Sequence, residues 1–143
     1  MSDLSMIEQK KLLVQKFGGT SLADLKGFEA SASVITRYTD SHRVIVVLSA
    51  VKGVTDLLLE AIDTAVDGRS GMAPLENAIG KERAIIEDLS DRGVETPLAS
   101  EYLEQQEATL TRRVEGILLL GQCPDETRAR ILASGEGFSS SFN

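Results

Sequence analysis

The chain has 143 residues and a mass of 15.4 kDa, with 42% apolar residues, 26% charged residues and a mean hydropathy of -0.03, values that fit a globular domain and not a disordered segment. Its 15 Lys and Arg stand against 22 Asp and Glu, and the net charge of -7 opposes a nucleic-acid partner held through phosphate contacts. A single cysteine, Cys123, and a single histidine, His42, exclude an internal disulfide and a Cys/His zinc cluster, and the lone thiol points to a reducing, cytoplasmic setting.

Residues 1–11 form a polar lead-in, and Met1 to Gln9 carries neither an apolar core nor the small-residue pattern of a secretory signal. No apolar run along the chain reaches the roughly 18 residues a membrane span requires. Charge is unevenly spread. Residues 1–50 hold six Lys and Arg against five Asp and Glu, whereas residues 51–143 hold nine against 17. An anionic ligand is therefore better tolerated near the N-terminal third.

Leu12 to Phe17 (LLVQKF) and Val44 to Leu48 (VIVVL) are predicted strands, and the second, apolar on both faces, suits the interior of a parallel sheet. Between them, Leu25, Phe28, Ala32 and Ile35 recur at spacings of three and four, which predicts an amphipathic helix over Leu22 to Tyr38. Strand, helix and strand together make a βαβ unit. Leu57, Leu58, Ala61, Ile62 and Ala65 then predict a helix capped by Thr55 or Asp56 and closed by Gly68. After a loop from Arg69 to Ala73, Pro74 opens a helix whose stripe is Leu75, Ala78, Ile79, Ile85, Ile86 and Leu89, ending near Gly93. A further helix runs from about Leu98 to Leu120. After the break Gly121 to Pro124, Asp125 to about Ser140 is expected as one last helix. Two strands and several helices are expected to be the front end of a larger α/β domain, the alternative being that the last helix closes a small three-layer domain, and an open sheet edge predicts self-association.

Three segments carry residues suited to ligand chemistry. Lys16-Phe17-Gly18-Gly19-Thr20-Ser21 lies where the first strand gives way to a helix. Two glycines let backbone N–H groups approach an anion, and Lys16 adds a full positive charge. The segment has neither the P-loop spacing nor the three spaced glycines of a dinucleotide site, and a bare turn with Thr20 or Ser21 as N-cap also accounts for it. Ser49 to Thr55 follows the second strand at the same carboxyl edge, where open α/β sheets collect ligands. Its small Ala50 leaves room, and the Ser49 and Thr55 hydroxyls suit a carboxylate or an amine. In Ser134 to Ser140 (SGEGFSS), two glycines flank Glu136 within a helical pattern, each costing about 1 kcal/mol relative to Ala, which implies close approach of backbone or ligand. Glu136 there either meets a substrate ammonium or is simply solvated. Lys52, Asp56, His42, Cys123 and the acidic pairs Glu87-Asp88 and Glu104/Glu107 fit ordinary surface or packing roles.

KFGGTSLAD (Lys16 to Asp24), VVLSAVKGVTDLL (Val46 to Leu58) and SGEGFSS resemble three signatures of the aspartate kinases, in the same order. LLGQCPD (Leu119 to Asp125) resembles the kinase half of bifunctional aspartokinase/homoserine dehydrogenases. The resemblance implies an amino-acid-kinase αβα sandwich, present here in part, which transfers the γ-phosphoryl of MgATP to the side-chain carboxylate of L-aspartate. It implies that Lys16 steadies the transferring phosphoryl group and that Gly18, Gly19, Thr20 and Ser21 hold ATP phosphates. Ser49, Ala50 and Thr55 would line the aspartate pocket, and Glu136 would bind the ammonium. It further implies a homo-oligomeric parent, with residues 12–143 as the N-terminal portion of its catalytic domain. The family's later arginine-and-aspartate, nucleotide and regulatory segments have no counterpart in these residues, so the chain alone is expected to be inactive. Gly137 stands where a bulkier residue is common in the family. A non-catalytic phosphate- or amino-acid-binding module with the same partial fold is the alternative, and a change of acceptor is a third reading.

Overall fold

The computed structural model describes residues 10–142; most of the polar lead-in, residues 1–9, lies outside the described residues. The element order is β1 (Lys11–Phe17), α1 (Leu25–Thr39), β2 (His42–Leu48), α2 (Val54–Val66), α3 (Met72–Asp91), α4 (Pro97–Leu120), α5 (Asp125–Leu132) and α6 (Ser134–Ser140). β1 and β2 pair in parallel, with Leu13 opposite Val44 and Phe17 opposite Leu48. This is the βαβ unit expected from the strand–helix–strand pattern.

The two strands show alternation instead of burial on both faces. Leu13, Gln15 and Phe17 share the half-buried face with Val44, Val46 and Leu48. The other face is open: Leu12 and Val14 are 56% and 58% exposed, and Ile45 and Val47 are 49% and 43% exposed. A second covering layer is therefore missing from the described residues, which corrects the expectation of an interior β2.

The core lies among the helices. Leu58, Ala61, Ile62 and Ala65 of α2 pack with Leu75, Ala78 and Ile79 of α3, and with Leu103, Leu110, Val114 and Ile117 of α4. Ile131 of α5 and Phe138 of α6 complete it. Each fully buried aliphatic or aromatic side chain contributes on the order of 1.5–3 kcal/mol, so α2, apolar on its whole inner face, anchors the assembly. α1 is less well covered. Leu25 is buried and Phe28 half-buried, but Ala32 of the expected stripe is exposed, and the polar Ser31 is buried instead.

Local signals explain the remaining boundaries. Helix α3 starts at Met72, inside the expected loop, with Pro74 in its first turn, where the missing N–H costs nothing. The single helix expected from Asp125 to Ser140 is instead two. At Ser134 the side-chain hydroxyl donates to the Ile131 carbonyl at 2.6 Å, a local bond that competes with helix continuation. The boundary falls at Ala133, which caps the end of α5 and the start of α6.

Candidate functional site

The site begins at the end of β1. Helix α1 does not start at Thr20 or Ser21, as a directly capped turn would require; its N-cap is Asp24, whose Oδ1 accepts from the Gly27 amide at 2.9 Å. Five residues thus separate the glycines from the helix, and its positive end already holds a carboxylate. The intervening turn is closed by the Ser21 amide on the Gly18 carbonyl at 2.9 Å and the Leu22 amide on the Gly19 carbonyl at 3.2 Å. Leu22 is buried, and the Ser21 carbonyl accepts from the Ser31 hydroxyl at 3.3 Å, so the turn is pinned to α1. A Cβ at Gly18 would meet nothing within 4 Å. What Gly18 leaves is open space beside the backbone, the property that anion approach needs.

The turn after β2 meets this loop. The Ser49 amide donates to the Phe17 carbonyl at 3.0 Å, extending the sheet by one bond, and a Cβ at Gly19 would stand 3.4 Å from the Ala50 carbonyl and 3.6 Å from the Lys52 Cα. Helix α2 is capped by Gly53, with φ at +84°, and by no side chain, so neither Thr55 nor Asp56 fills the role foreseen. Thr55 sits at the second helical position, half-buried, with its hydroxyl free of capping.

From the other side comes α6. A Cβ at Gly135 would lie 2.8 Å from the Ala50 Cβ, closer than packed side chains allow, and a tight 3.2 Å from Val54 Cγ1. Ala50 and its loop are thus held between the glycine turn and α6. The three segments singled out in the sequence converge on one edge. Glu136, next to Gly135, is exposed, and Lys16 lies with Leu12 and Val14 on the open face of the sheet. Lys52 is exposed as well.

Residues beyond the sequence reading also reach this edge. The Lys81 side chain of α3 runs over the turn, its Cε 3.6 Å and its Nζ 3.9 Å from where a Cβ of Gly53 would stand. Tyr102 of α4 donates from its hydroxyl to the Ser134 carbonyl at 3.0 Å. Glu82 is 4% exposed, and burial pushes its carboxyl up to about 8. Burial raises the Tyr102 phenol too, helped by the charges of Glu82 and Glu136. Glu82 was visible in principle, since it sits midway across the gap between Ile79 and Ile85 on the α3 stripe. Nothing in the sequence singles out Lys81.

The residues outside the site behave as ordinary surface and packing groups. Glu107 pairs with Arg83 on the surface, and the half-buried Cys123 thiol is raised chiefly by burial. Among the described residues no cluster of His, Cys, Asp and Glu is fit to hold a metal ion, and no helix is long and apolar enough to cross a membrane.

Residues 11–136 match the family model of the amino acid kinase family. The chain belongs to that family. It is 32% identical over 128 residues to the bifunctional aspartokinase/homoserine dehydrogenase of Buchnera aphidicola, covering 85% of this chain and 15% of that protein. It is 30% identical over 137 residues to aspartokinase 3, chloroplastic, of Arabidopsis thaliana, covering 95% of this chain and 24% of that one. Among solved structures, E. coli aspartokinase III in complex with lysine and aspartate (T-state) superposes with a TM-score of 0.72 at 26% identity, over 91% of this chain and 27% of that one. The same enzyme in complex with aspartate and ADP (R-state) gives 0.73 at 26% identity, over 92% and 27%. The chain thus spans about a quarter or less of the length of these relatives. The α/β architecture, with its parallel strand pair, is an incomplete amino-acid-kinase fold.

Proposed function

We propose that this chain carries the aspartate-binding and phosphate-facing edge of an aspartate kinase, the N-terminal portion of a catalytic domain that converts L-aspartate and ATP to 4-phospho-L-aspartate and ADP, the entry step to lysine, threonine and methionine. The observation that carries the reading is the convergence on Ala50: Gly19 abuts its carbonyl and Gly135 its side chain. That contact brings the open glycine turn, the Ser49–Thr55 segment and the Glu136 helix to one place.

The chemistry follows from what such residues can do. A side-chain carboxylate oxygen of aspartate attacks the γ-phosphorus, the bond to the bridging oxygen breaks, and ADP leaves; the site supplies position and charge, not a covalent nucleophile. Lys16 neutralises charge on the transferring group, and the Gly18 and Gly19 amides, with Thr20 and Ser21 beside them, hold phosphate oxygens. Ser49, Ala50 and Thr55 form the aspartate pocket, and the Glu136 carboxylate receives the ammonium. ATP enters as its magnesium complex, so the metal belongs to the substrate. Lys81, reaching over Gly53, adds a second positive charge at this edge.

Only part of a kinase site is present in these residues, so the chain alone gives no aspartate-dependent ATP turnover above background. The substrate half of the reading is tested by calorimetric titration with L-aspartate, L-asparagine and L-glutamate. Binding of aspartate, in preference to the other two, supports it. Equal binding of all three, or none by a folded chain, contradicts it. A cytoplasmic, homo-oligomeric parent is part of the same proposal.

A further inference from the structure

Tyr102 occupies the space that a side chain at position 137 would take. A Cβ at Gly137 would overlap the Tyr102 hydroxyl and stand 2.7 Å from its Cζ and 3.3 Å from its Cε2. The same hydroxyl donates to the Ser134 carbonyl at 3.0 Å, at the start of α6. Glu136 is therefore bracketed: Gly135 is fixed against Ala50, and Gly137 is fixed against Tyr102. The phenol also feels Glu82, a buried carboxyl whose Oε1 has no hydrogen-bond partner among the described residues. Burial chiefly, and the Glu82 and Glu136 charges after it, opposes loss of the phenol proton, and the hydroxyl donates to Ser134.

We propose that Tyr102 is a positioning residue for Glu136: admitted by Gly137 and tied to Ser134, it sets the course of α6 and with it the carboxylate that receives the substrate ammonium. The inference rests on the aspartate reading above for its ligand, but not for its geometry. Gly137 in this chain then has a definite meaning. The space a larger residue would fill from α6 itself is filled from α4, so residues 102 and 137 form a complementary pair.

The test uses the 143-residue chain with Tyr102→Phe, Gly137→Ala, Tyr102→Leu, and Gly137→Ala combined with Tyr102→Leu, read by amide hydrogen exchange and by calorimetry with L-aspartate. Tyr102→Phe keeps the ring and loses the donor. It is expected to speed exchange in residues 134–140 several-fold while leaving the α2 core amides unchanged. It should also weaken aspartate binding about 5- to 10-fold, the loss of one hydrogen bond's positioning. Gly137→Ala should weaken binding at least as much, and Tyr102→Leu should restore part of that loss, a coupling that two independent packing defects would lack. With Tyr38→Phe leaving Tyr102 as the sole phenol, aspartate should shift its near-ultraviolet band. Unchanged α6 exchange in Tyr102→Phe, or an equal cost of Gly137→Ala in both backgrounds, overturns the proposal. A wild-type chain that binds no aspartate sinks the aspartate reading instead, and exchange and coupling still decide whether Tyr102 positions α6.

Discussion

Gly135 of α6 rests directly on Ala50, so closely that a Cβ on the glycine would lie 2.8 Å from the alanine Cβ. Two small residues 85 positions apart in sequence thereby join the turn after β2 to the helix carrying Glu136. Gly135→Ala must push one of them away, and overpacking of this kind costs about 1 to 3 kcal/mol. The expected result is a lower urea midpoint with an unchanged slope, accompanied by weaker aspartate binding. Wild-type stability in the variant would mean that the contact is loose.

Glu82 gives a pH dependence whose sign is fixed by its environment. Burial raises its carboxyl from 4.5 to about 8 in the folded state. Between those values the folded chain holds a proton that the unfolded chain has released, so stability falls as pH rises through this window and levels off above it. The slope attributable to Glu82 is a little over 1 kcal/mol per pH unit. Glu82→Gln, which cannot ionise, should flatten the profile between about pH 5 and 8 and be the more stable protein at the upper end. Parallel profiles for the two proteins in urea unfolding would contradict this.

Much of the fold was legible because apolar spacing was. The βαβ unit and the stripes of α2, α3 and α4 follow from residue type and order, as does the choice of the three candidate segments that meet at Ala50. The glycines that end helices, Gly68, Gly93 and Gly121, were legible and all take positive φ, but the N-caps were not. Thr20, Ser21, Thr55 and Asp56 are all competent N-caps, but the backbone path chose Asp24 and Gly53, and that path depends on tertiary contacts. Polar residues inside stripes escaped as well: Ser31 and Glu82 are buried at positions where an apolar pattern skips over them. The apolar run of β2 suggested two covered faces, yet Ile45 and Val47 remain open because no second layer packs on the sheet among the described residues. At the site, Lys81 and Tyr102 arrive from helices 26 and 47 residues beyond Thr55, a distance over which local pattern carries no information.

The open sheet face has its own consequence. Val14 and Ile45 are paired across the strands, and both side chains stand on the uncovered face beside Leu12 and Val47. The chain is expected to self-associate as concentration rises, since exposed apolar surface and free strand edges seek cover. Val14→Lys with Ile45→Lys should shift light scattering toward monomer while changing unfolding stability by less than about 1 kcal/mol, as exposed substitutions usually do. A monomeric wild-type chain at high concentration would refute the expectation.

On the proposed function, one edge holds two ligands through different residues, Lys16 for the phosphates and Glu136 for the ammonium. Isothermal titration of the folded chain with MgATP and with L-aspartate, repeated with Lys16→Ala and Glu136→Ala, tests it most directly. The expected pattern is crossed: Glu136→Ala loses aspartate binding and keeps that of MgATP, whereas Lys16→Ala weakens MgATP binding and leaves aspartate nearly unchanged. Aspartate binding that survives Glu136→Ala undiminished would contradict it.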